Sequence, residues 1–185
     1  MTFQLIPRGV QIILIALVLG AAIYDILYRR IPNWMTVSGA AMGVALNSFL
    51  VPAGWAGLRY SAAGLGLGFA VYFVLYLLRA KGAGDVKLMA AIGALAGPRD
   101  WFGIFLLTSI LGGVLALALA ATRGRVRKTM WNVAFIFSEM RRGRPAYVGK
   151  EELDVNNPQS LRLPGGAVTA LGTLLFLGII SYLAR

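Results

Sequence analysis

Apolar runs of about 17–21 residues recur along this chain, and each is long enough to cross a hydrocarbon core of roughly 30 Å as a helix. A backbone in lipid must satisfy its own hydrogen bonds, which a helix does within the segment. Five such runs fall at 10–26, 34–51, 61–78, 101–121 and 165–184, and the fourth in chain order, at 86–97, is shorter. They predict an all-α polytopic membrane bundle of about six transmembrane helices, forming one domain over residues 1–185. The fourth run is short for a full crossing and is retained as a span because dropping it would move the most basic loop to the opposite side. Composition agrees, with 58% of residues hydrophobic and 14% charged. The absence of Cys and His removes disulfides and thiolate or imidazole ligands, so neither a metal nor a cofactor is expected.

The net charge of +11 could indicate nucleic acid, but its placement argues otherwise. Of the 18 Lys and Arg residues, 14 fall in the loops after the first, third and fifth runs; Arg8, Arg59, Arg99 and Arg185 lie on the other side. The positive-inside rule then puts those loops in the cytoplasm and both chain ends outside. Anionic lipid in the cytoplasmic leaflet is the expected partner of this charge, and no nucleic acid is expected.

Against that topology, two aspartates stand out. Asp25 closes the first run, which reads as a span that continues into the acid and not as a removable signal segment. Asp85 sits in Lys81-Gly82-Ala83-Gly84-Asp85-Val86-Lys87-Leu88-Met89, between a long apolar run and a short one. A carboxylate at a membrane edge carries a large desolvation cost and is a functional candidate by default. Each also has a plain structural reading: Asp25 as an i,i+4 partner of Arg29, and Asp85 as a helix N-cap entered through Gly82 and Gly84, whose backbone freedom permits a tight turn. The charge count puts both on the cytoplasmic side, whereas Asp100 lies on the other. Two carboxylates that meet can share one proton, so that one activates water while the other protonates a scissile carbonyl. The end of a helix disfavours negative charge and its start favours it, so Asp85 is expected as the ionised base and Asp25 as the acid, with the titration belonging to the pair.

These residues resemble the type IV prepilin peptidases, aspartic membrane proteases of the Gly-x-Gly-Asp kind. The likeness lies in Asp25 followed by Ile31-Pro32-Asn33, in the Gly82 to Met89 string with small residues behind it, and in the layout of six spans. It implies that Asp25 and Asp85 are a catalytic dyad and that Gly82 and Gly84 shape the loop. It also implies a pilin-like precursor as substrate, cut between a short basic leader and an apolar helix at the cytoplasmic face of the inner membrane. The chain looks like the short, peptidase-only branch serving Flp or tight-adherence pili. The cysteine-bearing cytoplasmic insert of longer members is not seen, so methyltransferase activity is not expected. Archaeal preflagellin peptidases share these features, and presenilin-like proteases share Tyr24-Asp25 and the glycine motif.

Elsewhere the chain reads as scaffold. Gly64, Gly66 and Gly68, with Phe69, Tyr72, Phe73 and Tyr76, form a stripe better suited to helix packing than to holding a cofactor. A cytoplasmic loop spans about 122–162. Within it Val126, Met130, Val133, Ala134, Phe137 and Met140 share a helical face flanked by Arg and Lys, as an interfacial amphipathic helix does. The competing class is a membrane carrier or assembly scaffold whose aspartates relay protons or cap helices.

Overall fold

Pro98 cannot donate a backbone N–H, and Gly97 adopts φ 76°, ψ 173°, a conformation essentially restricted to glycine. These two residues decide the architecture. The computed structural model describes residues 6–50, 54–124 and 163–183, with helical positions at 126–127, 130–131, 134–135 and 138. The bounded elements among them are α1 (Arg8–Tyr28), α2 (Asn33–Leu50), α3 (Gly54–Leu77), α4 (Ala83–Thr122) and α5 (Gly165–Leu183). No strand occurs among the described residues.

The 40-residue α4 is not one rod. Trp101 donates its indole N–H to the Met89 carbonyl at 3.1 Å, although the two are 12 positions apart. On a straight helix that separation is about 18 Å along the axis, far beyond an indole's reach. The chain therefore reverses at Gly97, and α4 consists of two legs folded against each other. The first leg is the centre of the molecule: residues 88–97 are buried on every face, as an all-round apolar helix must be when protein surrounds it. Its brevity, which at first sight suits a membrane crossing poorly, follows from this position.

Small residues let the other helices close on that leg. On α3, Gly64 faces Gly93 and Gly68 faces the Met89 carbonyl, each so near that no Cβ would fit. Tyr60 reaches Ala96 at the same interface. The glycine stripe of α3 is thus packing surface, as expected, except at Gly66, where nothing lies within 4 Å of an added Cβ. Gly43 brings α2 onto Ala94 and Leu95 of the central leg, and Gly39 receives Leu17 of α1. The second leg of α4 runs antiparallel to α5, with Gly103 against Phe176, Thr108 against Gly172 and Gly112 against Val168.

Among the described residues, four helices are long and apolar enough to cross a membrane: α1, α3, α4 and α5. The expected count of about six spans is not confirmed. Two of the six runs lie within the single reversed element α4, and α2 carries Asn33, Thr36, Ser38, Asn47 and Ser48, which dilute its apolar character. Of the expected interfacial helix, Val126, Met130 and Ala134 are helical and exposed, as is Trp131. Val133, Phe137, Met140 and the polar stretch that follows lie outside the described residues.

Candidate active site

Both sequence-selected acids arrive at one end of the bundle, each from a different helix. Asp25 lies in the last turn of α1, which stops when Arg29 turns to φ 55°, ψ 27° and its N–H closes on the Asp25 carbonyl at 3.0 Å. Ile31 and Pro32 carry the chain round the corner into α2. Asp85 lies in the first turn of α4. Both side chains are half-buried.

The expectation that Asp85 is the N-cap requires correction. Gly82 holds that position, and Asp85 is the third helical residue, its Oδ2 accepting the Gly82 backbone N–H at 3.3 Å. This is the side-chain half of a capping box; glycine has no side chain to return the bond. The reason proposed for the glycines also fails. Gly82 sits at φ −83°, open to any residue, and Gly84 is helical. Gly84 instead packs on Ile31, whose Cβ would lie 3.4 Å from an added Cβ, an ordinary van der Waals contact. The two motifs singled out in the sequence, Ile31-Pro32-Asn33 and the glycine-aspartate string, therefore touch. Lys87 strengthens the join by donating to Asn33 Oδ1 at 2.9 Å.

Between the two acids stands the start of α5, which the sequence reading passed over. Gly166 donates its backbone N–H to Asp25 Oδ2 at 2.7 Å. A Cβ added at Gly166 would lie 3.0 Å from Asp25 Cβ, and one added at Gly165 would lie 2.5 Å from Asp85 Oδ1. Adjacent glycines thus contact one carboxylate each. The available signal is Leu163-Pro164-Gly165-Gly166, a proline and two glycines at the opening of the last apolar run.

Two further groups belong to this end. The α3–α4 register of Tyr60 on Ala96, Gly64 on Gly93 and Gly68 on Met89 brings Tyr72 level with Asp85. Tyr72 is 2% exposed, edge-on to Phe105, with Lys81 Nζ 6.0 Å from its ring centroid. The charges acting on Asp85 are those of Lys81 and, to a smaller extent, Asp25. Asp100 sits at the opposite end, beyond the Gly97 reversal. Each acid accepts a backbone N–H, Asp85 from Gly82 and Asp25 from Gly166. No group of His, Cys, Asp or Glu able to hold a metal ion occurs among the described residues.

Two half-buried carboxylates on separate helices thus meet about the start of α5 at one end of an apolar bundle. Residues 12–117 match the type IV leader peptidase family, and the chain belongs to it. It is also similar to a prepilin leader peptidase/N-methyltransferase of Myxococcus xanthus (strain DK1622), with 29% identity over 131 residues. That similarity covers 67% of this chain and 37% of the relative, so the chain spans well under half of the relative's length. No solved structure is significantly similar to it. The family and the four apolar helices together fit a multi-pass inner-membrane protein.

Proposed function

We propose that this chain is an aspartic endopeptidase that removes the short basic leader from prepilin-like precursors, with Asp25 and Asp85 as its catalytic pair. The observation carrying this reading is the meeting of Asp25 and Asp85 about Gly165 and Gly166 at one end of the bundle. Family membership supports a prepilin substrate. In the reaction, the ionised carboxylate takes a proton from water as the water oxygen bonds to the scissile carbonyl carbon. The protonated partner gives its proton to the carbonyl oxygen. The tetrahedral intermediate then collapses: the C–N bond breaks as the leaving nitrogen takes the proton that the first carboxylate drew from water, and the second carboxylate recovers a proton from a hydroxyl of the intermediate. The one proton of the resting state belongs to the pair.

In this reading the acid-bearing end faces the cytoplasm, because Arg29, Arg30, Arg79, Lys81 and Lys87 cluster in the neighbouring turns. The two legs of α4 then count as separate crossings, α2 makes the sixth, and both termini lie outside. Gly84 lies against Ile31 where the chain enters α4 to present Asp85, and anionic lipids neutralise the basic rim. Co-expression with a precursor carrying a basic leader before an apolar run tests the proposal. Leader removal is expected with the native chain and is expected to be lost in Asp25→Asn and in Asp85→Asn at unchanged protein level in the membrane. Retained cleavage in either variant would refute the pair, and proton-coupled transport without cleavage would favour a carrier.

A further inference from the structure

We propose that Gly165 and Gly166 are positioning residues for the Asp25–Asp85 pair: the Gly166 amide fixes Asp25, and the bare Cα of Gly165 leaves the space that the Asp85 carboxylate occupies. The inference rests on the peptidase reading. It goes beyond the family resemblance, since the family match ends at residue 117 and does not reach α5.

Three observations carry it. The Gly166 N–H donates to Asp25 Oδ2 at 2.7 Å, a short bond joining residues 141 positions apart. The Gly165 site is filled by Asp85: an added Cβ would meet Oδ1 at 2.5 Å and both Cγ and Oδ2 at 3.1 Å. The Gly166 site is enclosed by α1, with the Ala21 carbonyl oxygen and Asp25 Cβ each 3.0 Å from an added Cβ. The three atoms nearest an added Cβ at Gly165 all belong to the Asp85 carboxylate, unlike the backbone contacts that account for Gly64 and Gly68. By contrast, Gly178 on the same helix has nothing within 4 Å of an added Cβ.

The consequence is mechanical. The first turn of α5 is wedged between α1 and α4, which place the two acids, and it sets how far apart the carboxylates stand. A methyl group at Gly165 must push Asp85 aside or tilt α5, and tilting α5 pulls the Gly166 amide from Asp25. Misplacement of a reacting group by about 1 Å costs on the order of 10²-fold in rate.

The test compares Gly165→Ala, Gly166→Ala and Gly178→Ala in the full chain, reconstituted with a precursor of basic leader and apolar run. Expected is a fall in kcat of about 10–100-fold for the first two with KM within about twofold, and native kinetics for Gly178→Ala. Native kcat in both Gly165→Ala and Gly166→Ala would overturn the proposal, as would a loss confined to KM. Should Gly165→Ala fail to accumulate, Gly166→Ala, with its milder contacts, decides. A second measurement needs neither variant nor cleavage: the Gly166 amide proton shift, followed by NMR across pH in micelles. It is expected to move as Asp25 titrates in the native chain and to stay flat in Asp25→Ala; a flat response in the native chain overturns the proposal. If the native chain cleaves no precursor the peptidase reading falls, and this amide measurement still decides whether Gly166 holds Asp25.

Discussion

Asn47 of α2 donates its side-chain amide to the Ala94 carbonyl of the central leg at 2.9 Å and to that of Leu95 at 3.1 Å. The need for this arises one turn later. In an unbroken helix the Ala94 carbonyl would accept from residue 98, but Pro98 has no N–H to give, and Gly97 turns the chain before residue 99 can serve Leu95. Ser61 adds a second bond to Ala94 at 2.6 Å, and the Tyr60 hydroxyl takes the Ala96 carbonyl at 2.9 Å. Three side chains from two neighbouring helices thus replace the backbone donors lost at the reversal, where lipid would offer none.

Replacing Asn47 by Ala strips the Leu95 carbonyl of this donor and leaves Ala94 with Ser61. The expected cost is about 1–2 kcal/mol, in the range for buried polar groups deprived of a partner and near the upper end for membrane proteins. A lowered unfolding midpoint in mixed micelles checks it. Asn47→Asp at neutral pH should be worse, since a carboxylate cannot donate to either carbonyl.

Gly93→Ala should be more damaging than its size suggests. The added methyl would collide with the Gly64 backbone, which cannot rotate out of the way as a side chain could, so α3 and α4 must separate. A loss of about 1–3 kcal/mol is expected, as for overpacked cores. Gly66→Ala meets open space and should be neutral or slightly stabilising through helix propensity. Thermal unfolding of the two variants side by side makes the comparison.

The indole N–H of Trp101 joins the two legs of α4 through Met89. Trp101→Phe keeps an aromatic ring in the stack with Phe105, whose centroid lies 5.4 Å from that of Trp101, but loses the donor and part of the buried volume. Destabilisation of about 1–3 kcal/mol is expected. Proteolysis at the Gly97 reversal should accelerate in step with that loss.

Lys87 and Asn33 form the opposite kind of contact, because their bond is exposed to solvent. A double-mutant cycle on Lys87→Met and Asn33→Ala should give a coupling below about 1 kcal/mol in stability. A larger value would mean that the α1–α2 corner depends on this bond to stay beside Gly84.

The legible parts of the sequence were those carried by local pattern. Apolar length announced helices, and the Gly82 to Met89 string announced a helix start bearing an acid. Basic residues clustered beside Asp25 and Asp85 but not beside Asp100, and the two acids do share an end of the bundle. The differences arise either from local ambiguity or from partners distant along the chain. Asp85 was read as a cap because capping sites and first-turn acids look alike in sequence, and only the Gly82 φ and its N–H bond separate them. Gly84 was assigned backbone freedom because its spatial neighbour, Ile31, lies in another loop. Tyr72 looked like one more ring in a packing stripe until the α3–α4 register set it level with Asp85.

The sequence by itself determined a helical membrane protein with two acids at the ends of apolar runs, because helix formation in lipid and charge placement depend on residues near one another. Only the tertiary structure decided that α4 doubles back at Gly97 and that α5 inserts Gly165 and Gly166 between those acids. A reversal is fixed by the donors and spaces that other helices bring to it, and a hydrogen bond from Gly166 to Asp25 exists only once α1 and α5 have packed.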